Sequence, residues 1–233
     1  VANPTLFNYV TYSDTERKYV LKDGVALETG LTFILAEMKK DENSDLSSHF
    51  RTIIQNVVND TFKPFYSQDL IKEGVTKASI DTLYNTTLAL LQGSNYEYDV
   101  MYLYNNTLYD YYKLQLSHYY EYPTTSYVSH LKEGTTSEQI EKLFADVNVD
   151  EYYNIAQLKN QALASIEVAD ALVLMKPNYW KYSGMERIVE GKSVQLINTV
   201  LELQKTVTNL TAINWLDDTL RYLSDDAFSS LKN

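Results

Sequence analysis

Residues 95–122 read NYEYDVMYLYNNTLYDYYKLQLSHYYEY, and this stretch decides the fold class of the chain. Neither glycine nor proline interrupts the segment, and ten of its 28 positions are tyrosine. Its first half alternates as a strand would, but its second half places large side chains three or four positions apart, as a helix does. A run of this length is too long for an ordinary strand. The segment therefore predicts a helix of about 40 Å that ends before Pro123.

The rest of the chain also carries helical patterns. In the clearest one, apolar side chains recur at helical spacing from Leu46 to Phe62, and Pro64 ends the pattern. The chain has only seven glycines and four prolines, which leaves few positions for the tight turns of an all-β protein. Helices are predicted over residues 24–40, 46–62, 68–77, 79–91, 95–122, 137–144, 150–176, 185–209 and 213–231.

These patterns predict an all-α protein, an irregular multi-helix bundle of about seven to nine helices. Near the N-terminus, the run LFNYVTY predicts a short strand or an extended arm, and residues 178–184 predict a turn. We expect residues 1–233 to form a single helical domain, with a hinge or subdomain boundary over residues 123–136. No internal repeat is evident at the periods of solenoid proteins.

Composition excludes several classes of function. The 31 acidic and 20 basic residues give a net charge of −11, and no basic stripe is present, which argues against a nucleic-acid partner near neutral pH. The absence of cysteine excludes disulfides, thiolate catalysis and zinc fingers. No apolar run approaches the roughly 20 residues of a transmembrane helix. The first ten residues lack the basic and apolar regions of a signal peptide.

No catalytic, cofactor or metal motif is complete. The segment GMERIVEGKS (184–193) ends like a phosphate-binding loop, but Glu186 occupies a position where that loop requires glycine. His49, His118 and His130 are never three or four positions apart, so no pair shares one helix face as metal ligands would. We therefore predict no enzymatic activity, no cofactor and no metal site.

Four sequons have the pattern of N-glycosylation acceptors. A glycan at any of them would require an exported chain and an exposed asparagine. The candidate sites are Asn59, Asn85, Asn105 and Asn209.

Tyrosine is the unusual feature, with 21 residues against seven phenylalanines and two tryptophans. A helix with tyrosine on most of its faces cannot bury every ring, and half-exposed tyrosine is favoured at protein interfaces. The sequence thus predicts a structural or assembly protein that contacts itself or other structural proteins. The alternative is a helical module that binds a carbohydrate or small ligand through exposed tyrosines. The predicted interaction residues are Tyr98, Tyr102, Tyr104, Tyr109, Tyr111, Tyr112, Tyr119 and Tyr120.

In composition the chain resembles virion and surface proteins of crenarchaeal viruses, such as the two-tailed virus of Acidianus, which are rich in tyrosine, asparagine and threonine and poor in cysteine. The resemblance covers overall composition and no motif, so it assigns no site residue. It implies an acid- and heat-tolerant component of a particle outside the cell, with a cytoplasmic protein as the other alternative. A charged fraction of 22% agrees with acid tolerance, because few carboxylates must stay ionised.

Overall fold

The computed structural model describes residues 4–40, 43, 46–121, 130–168, 179–182 and 185–232. Within these ranges the protein is mostly helical, with eight α-helices, which confirms the predicted helical bundle. The described strands form four separate two-stranded antiparallel hairpins. The first hairpin, together with a 3₁₀ turn at Pro4–Asn8, makes up the N-terminal arm.

The elements follow one another in a fixed order of hairpin, helix, helix. The hairpins are β1 (Val10–Ser13) with β2 (Lys18–Leu21), β3 (Tyr66–Ser67) with β4 (Leu70–Ile71), β5 (Tyr120–Glu121) with β6 (His130–Leu131), and β7 (Tyr179–Tyr182) with β8 (Met185–Ile188). The helices are α1 (Leu27–Met38), α2 (Ser47–Asn59), α3 (Lys77–Leu90), α4 (Tyr96–Ser117), α5 (Ser137–Leu143), α6 (Tyr153–Glu167), α7 (Ser193–Gln204) and α8 (Leu210–Lys232). Within the described residues, the elements therefore form four successive ββαα repeats.

A short sequence motif marks the same point in every repeat. An aliphatic residue ends the second strand, an acidic residue follows two positions later, and a glycine comes next. These glycines adopt φ angles of 78–85°, which only glycine reaches without strain, and each turn leads into the first helix of its repeat. The glycines are Gly24, Gly74, Gly134 and Gly191.

The backbone hydrogen bonds repeat as well. In the first three repeats a lysine N–H donates to the carbonyl of the aromatic residue at the start of the hairpin or just before it. These bonds join Lys22 to Tyr9 (2.9 Å), Lys72 to Phe65 (2.8 Å) and Lys132 to Tyr119 (2.7 Å). The next helix then begins with a capping box in two repeats, at Thr76 with Ser79 and at Thr136 with Gln139.

The sequence showed no internal repeat at the periods of solenoid proteins, and the repeat seen in the structure does not have such a period. Successive marker glycines are 50, 60 and 57 positions apart, so the spacing is irregular and longer than most solenoid periods. The helices between them also differ in length, from seven residues in α5 to 23 in α8. Only the turn keeps a common sequence, and four residues are too few to stand out in a search for a fixed period.

Several predicted boundaries were wrong. The segment predicted as one helix over 185–209 is strand β8, a turn and α7, and the predicted turn over 178–184 contains strand β7. The predicted helix over 68–77 contains β4 and its turn, since hairpins this short leave almost no period-2 pattern. The helix predicted over 150–176 is a 3₁₀ turn at Val149–Glu151 followed by α6, and residues 169–176 lie outside the described residues.

Contacts divide the chain into two compact units, residues 1–111 and 112–233. The predicted single domain and its hinge over 123–136 stay predictions, because residues 122–129 lie outside the described residues. In the first unit, α1 packs against α2 and α3, and β2 packs against α2. The apolar stripe predicted for α2 forms part of this core, although Leu46 at its start is only half-buried. Its buried residues are Phe50, Ile53, Ile54, Val57, Val58 and Phe62.

In the second unit, α8 packs against both α7 and α6. A cluster of buried aliphatic side chains from these three helices and their connections forms its core, including Leu196, Val200 and Leu216. The carboxylate of Glu167, at the end of α6, accepts hydrogen bonds from the backbone N–H groups of Thr208 (3.2 Å) and Asn209 (2.7 Å). Glu167 thus satisfies donors at the start of α8 and ties the second helices of two successive repeats together.

Candidate interaction surface

The tyrosine segment forms α4, which is 22 residues long rather than the predicted 28. The helix ends at Ser117, and Tyr120–Glu121 pair with His130–Leu131 as a hairpin. Valine, leucine, threonine and two tyrosines line the buried side of α4, so hydrophobic burial holds the helix in place. These buried residues are Val100, Tyr104, Thr107, Leu108, Tyr112 and Leu116.

Three large side chains of α4 lie on the surface. Tyr98 is 77% exposed, Tyr102 is 67% exposed and Met101 is 43% exposed. Because they stand at positions i, i+3 and i+4, they share one face of the helix within a single turn. We call these three residues the α4 face. Neither Tyr98 nor Tyr102 makes a ring contact or hydroxyl hydrogen bond within the described part of the chain.

Two of the predicted interaction residues are core residues instead. Tyr104 is 7% exposed; its ring stacks on that of Tyr84 with centroids 3.8 Å apart, and its hydroxyl donates to Asp81 at 2.5 Å. Tyr112 is fully buried, stacks on Phe144 and donates to Asp146 at 2.6 Å. Each phenol buries a large ring and meets its one donor requirement with a carboxylate. Burial removes both residues from a surface available to partners.

The other four predicted residues are intermediate. Tyr109, Tyr111 and Tyr119 are half-buried, and so is Tyr120 in strand β5. Tyr109, Tyr111 and Tyr120 already interact within the chain. The exposure expected from the tyrosine surplus is therefore concentrated in Tyr98 and Tyr102. Their role in binding stays a prediction.

A third tyrosine–aspartate pair anchors a hairpin to α4. The hydroxyl of Tyr66, in β3, donates to Asp110 at 2.6 Å. Burial raises the pKa of Tyr66 above its ordinary value of 10.0, and the hydrogen bond to Asp110 raises it further. At the start of α4, burial likewise raises the pKa of Tyr96, and this effect outweighs the opposing charge of Arg51. In these three pairs the tyrosine hydroxyl serves as a donor within the protein.

The flanks of the α4 face differ in polarity. Glu97 and Asp99 lie in the first turn of α4, where carboxylates suit the positive end of the helix dipole. Glu97 also accepts a hydrogen bond from the Gly93 N–H at 3.2 Å. On the other side, the exposed amides of Asn105 and Asn106 follow the face by one turn. The surface therefore runs from acidic groups through apolar rings to amide groups.

The sequons lie in different environments. Asn59, Asn85 and Asn105 are exposed at their helix surfaces, whereas Asn209 accepts hydrogen bonds from the N–H groups of Thr211 (2.9 Å) and Ala212 (3.2 Å) as a helix cap. Asn105 lies seven positions after Tyr98 and three after Tyr102, so all three share one side of α4. A glycan on Asn105 would cover the α4 face. Glycosylation there and protein contact through this face are mutually exclusive predictions.

The remaining motifs show no assembled chemistry within the described ranges. The Gly-Lys-Ser of residues 191–193 is the fourth copy of the repeat turn and opens α7. His49 is exposed on α2, and His118 is exposed in the turn that follows α4. The described residues bring together no group of three His, Asp or Glu side chains suited to a metal ion. Among the described helices, none combines the length and apolar character needed to cross a bilayer.

Sequence reasoning missed two surface features. Met101 completes the α4 face, and an apolar groove lies between α1 and α3. Met101 could have been found from its spacing to Tyr98 and Tyr102. The groove depends on how two helices from different repeats pack, which no local pattern specifies.

No protein-family model, curated protein or solved structure matches this chain.

Proposed function

We propose that this protein is a non-enzymatic structural or assembly protein and that its α4 face forms contacts between copies of the chain. The observation that carries the proposal is the pair of strongly exposed rings, Tyr98 and Tyr102, on a helix whose other side is core. Tyrosine supplies a large, rigid contact area with few rotatable bonds, which is why it recurs at the energetic centres of interfaces.

The surface around these rings suits self-association. Most homodimers pair the same patch on both copies about a two-fold axis. If two copies of α4 cross antiparallel near Met101 and Tyr102, the acidic first turn of each copy faces the exposed Asn105 and Asn106 amides of the other. Carboxylate acceptors then meet neutral N–H donors, and two like-charged turns do not meet. This complementarity favours a second copy over an acidic partner.

The compositional resemblance to crenarchaeal virion and surface proteins supports placing this assembly in a particle or at a cell surface. In such a setting the interface would operate under acidic conditions. Tyrosine and methionine keep the same charge down to low pH, so contacts made by the α4 face would persist there.

The test is a sedimentation-velocity concentration series on three proteins: wild type, the double variant Tyr98→Ser/Tyr102→Ser, and Tyr153→Ser. Tyr153 is a matched control because it is 75% exposed on another helix, α6. Truncating a central interface residue commonly costs more than about 1 kcal/mol. We expect wild type and Tyr153→Ser to associate equally and the double variant to associate about tenfold or more weakly.

Two results would contradict the proposal. The first is a wild-type chain that stays monomeric over the whole concentration range. The second is a double variant that associates as strongly as wild type. Circular dichroism of each variant checks that the fold is intact, which we expect because both rings are exposed.

A further inference from the structure

An apolar groove lies between the first helices of the first two repeats. Its volume is about 580 Å³, within the range of about 300–1,000 Å³ typical of small-molecule sites. Leu27 and Glu28 from the first turn of α1 form one wall, Phe65 contributes an aromatic ring, and one face of α3 from Ala78 to Leu90 forms the floor. The whole groove lies within the compact unit of residues 1–111.

The groove is predominantly hydrophobic. The side chains of Leu27, Phe65, Leu83 and Leu90 are only half-buried, so they retain apolar surface that a ligand could remove from water. The hydroxyl of Thr87 already donates to the Leu83 carbonyl at 2.7 Å. Covering that hydroxyl therefore leaves no unpaired donor behind.

The hydroxyl of Ser79 is engaged in the same way, because it donates to the Thr76 carbonyl at 2.7 Å. A polar group whose donor is satisfied carries little desolvation cost when a ligand covers it. An apolar ligand body can therefore cover the hydroxyls of Ser79 and Thr87 at little cost.

The described residues that line the groove carry only negative charge. Glu28 is the single ionisable side chain among the described residues that line it, and it makes no ion pair or hydrogen bond there. The nearby Lys77, at the start of α3, is paired with Asp81 at 2.5 Å. An exposed carboxylate beside an apolar wall attracts a cation and repels an anion.

From these observations we propose that the groove between α1 and α3 binds a small molecule with an apolar body and a cationic amine. The body lies against Leu27, Phe65 and Leu83, and the ammonium group pairs with Glu28. Ligand binding in this groove is independent of contacts made by the α4 face, so this proposal does not depend on the assembly proposal. It adds a ligand-binding activity to a chain whose sequence shows no ligand motif.

The test compares octylamine, octanol and octanoate, three probes that share one alkyl tail and differ in their head groups. Binding to the full chain is followed by amide chemical shifts in two-dimensional NMR spectra at neutral pH, below the aggregation limit of each probe. An exposed charge pair contributes about 0.2–1 kcal/mol, which corresponds to a preference of up to about fivefold. We expect saturable binding in the order octylamine, octanol, octanoate, with shifts centred on α1 and α3.

Two pairs of variants test the contact with the head group and the binding of the apolar body in the groove separately. Glu28→Gln should remove the preference for octylamine over octanol, whereas Glu73→Gln, an exposed acid outside the groove, should keep it. Ala78→Trp should fill the groove and abolish binding of all three probes. Ala89→Trp is its matched control, because Ala89 is an exposed alanine of α3 that does not line the groove.

The proposal is overturned if octylamine shows no saturable shifts, or if the three probes bind equally to the wild-type chain. It is also overturned if Ala78→Trp binds octylamine as wild type does while its spectrum shows an intact fold. Neither result bears on self-association, so the two proposals fail separately.

Discussion

At the scale of single residues, three aspartates determine what three of the tyrosines do. Asp81, Asp110 and Asp146 accept the hydroxyls of Tyr104, Tyr66 and Tyr112 at 2.5–2.6 Å. These short charge-assisted bonds let phenol rings pack at or near the core without an unpaired donor. Some tyrosines of this chain are therefore internal and pair with aspartate, whereas Tyr98 and Tyr102 are exposed on the α4 face.

We predict that Tyr104→Phe destabilises the protein by about 1–2 kcal/mol. The ring and its stacking on Tyr84 remain, but the hydrogen bond to Asp81 is lost and that carboxylate keeps only its contact with Lys77. Tyr98→Phe is the control and should change stability by less than about 0.5 kcal/mol, because its exposed hydroxyl has no partner in the described structure. Urea unfolding of both variants measures the difference. Equal stabilities would show that the Asp81 bond contributes nothing net.

The raised pKa of Tyr66 predicts that the protein loses stability at alkaline pH. Its pKa is raised in the folded chain, so the folded state keeps a proton that the unfolded state releases above pH 10. The contribution of Tyr66 is therefore fully present below pH 10 and declines as the pH rises beyond it. The unfolding free energy of wild type should fall more steeply above pH 10 than that of Tyr66→Phe. Parallel curves for the two proteins would contradict this explanation.

At the scale of secondary-structure elements, the packing of α1 on its hairpin depends on a glycine. Gly30 is buried near the start of α1, and a Cβ atom at this position would overlap the side chain of Leu21 in β2. Equivalent positions in the next two repeats carry Ile80 and Ile140, both fully buried. In the first repeat, the side chain of Leu21 therefore occupies space that a side chain at position 30 would need.

This overlap predicts that substitutions at Gly30 and Leu21 have coupled effects on stability. Alanine in a helix interior is favoured over glycine by about 1 kcal/mol, but in wild type that gain is opposed by the overlap with Leu21. We expect Gly30→Ala to be more stabilising in a Leu21→Ala background than in wild type, by about 1 kcal/mol. Urea unfolding of the four proteins in this double-mutant cycle measures the coupling. A coupling energy of zero would show that the two side chains do not compete for space.

The elements also show what the sequence could predict. The apolar stripe of α2 was readable because 13 residues keep one helical period, and its core position followed directly. Strands β3 and β4 were not readable because two residues cannot display a period. The boundary at Ser117 was missed because Tyr119 continues the helical spacing, whereas Tyr120 and Glu121 pair with β6. Pairing between distant segments is a tertiary effect that local propensity does not contain.

At the scale of the whole molecule, four ββαα repeats explain motifs that looked unrelated. Asp23–Gly24, Glu73–Gly74, Glu133–Gly134 and Glu190–Gly191 are copies of one turn, although the last resembles part of a phosphate-binding loop. The candidate surface was only partly predictable from the sequence. The tyrosine surplus pointed to α4, but which rings face outward depends on the buried partners of Tyr104 and Tyr112.

Tyrosine labelling would show whether copies of the chain contact one another through the α4 face. Tetranitromethane would be applied to the isolated chain and to the assembled protein taken from its native source, and peptide mass spectrometry would locate each nitrated ring. In the isolated chain, Tyr98, Tyr102 and Tyr153 should all react, since all three are strongly exposed. In the assembly, Tyr98 and Tyr102 should become protected while Tyr153 stays reactive. Undiminished reaction of Tyr98 and Tyr102 in the assembled protein would contradict the account.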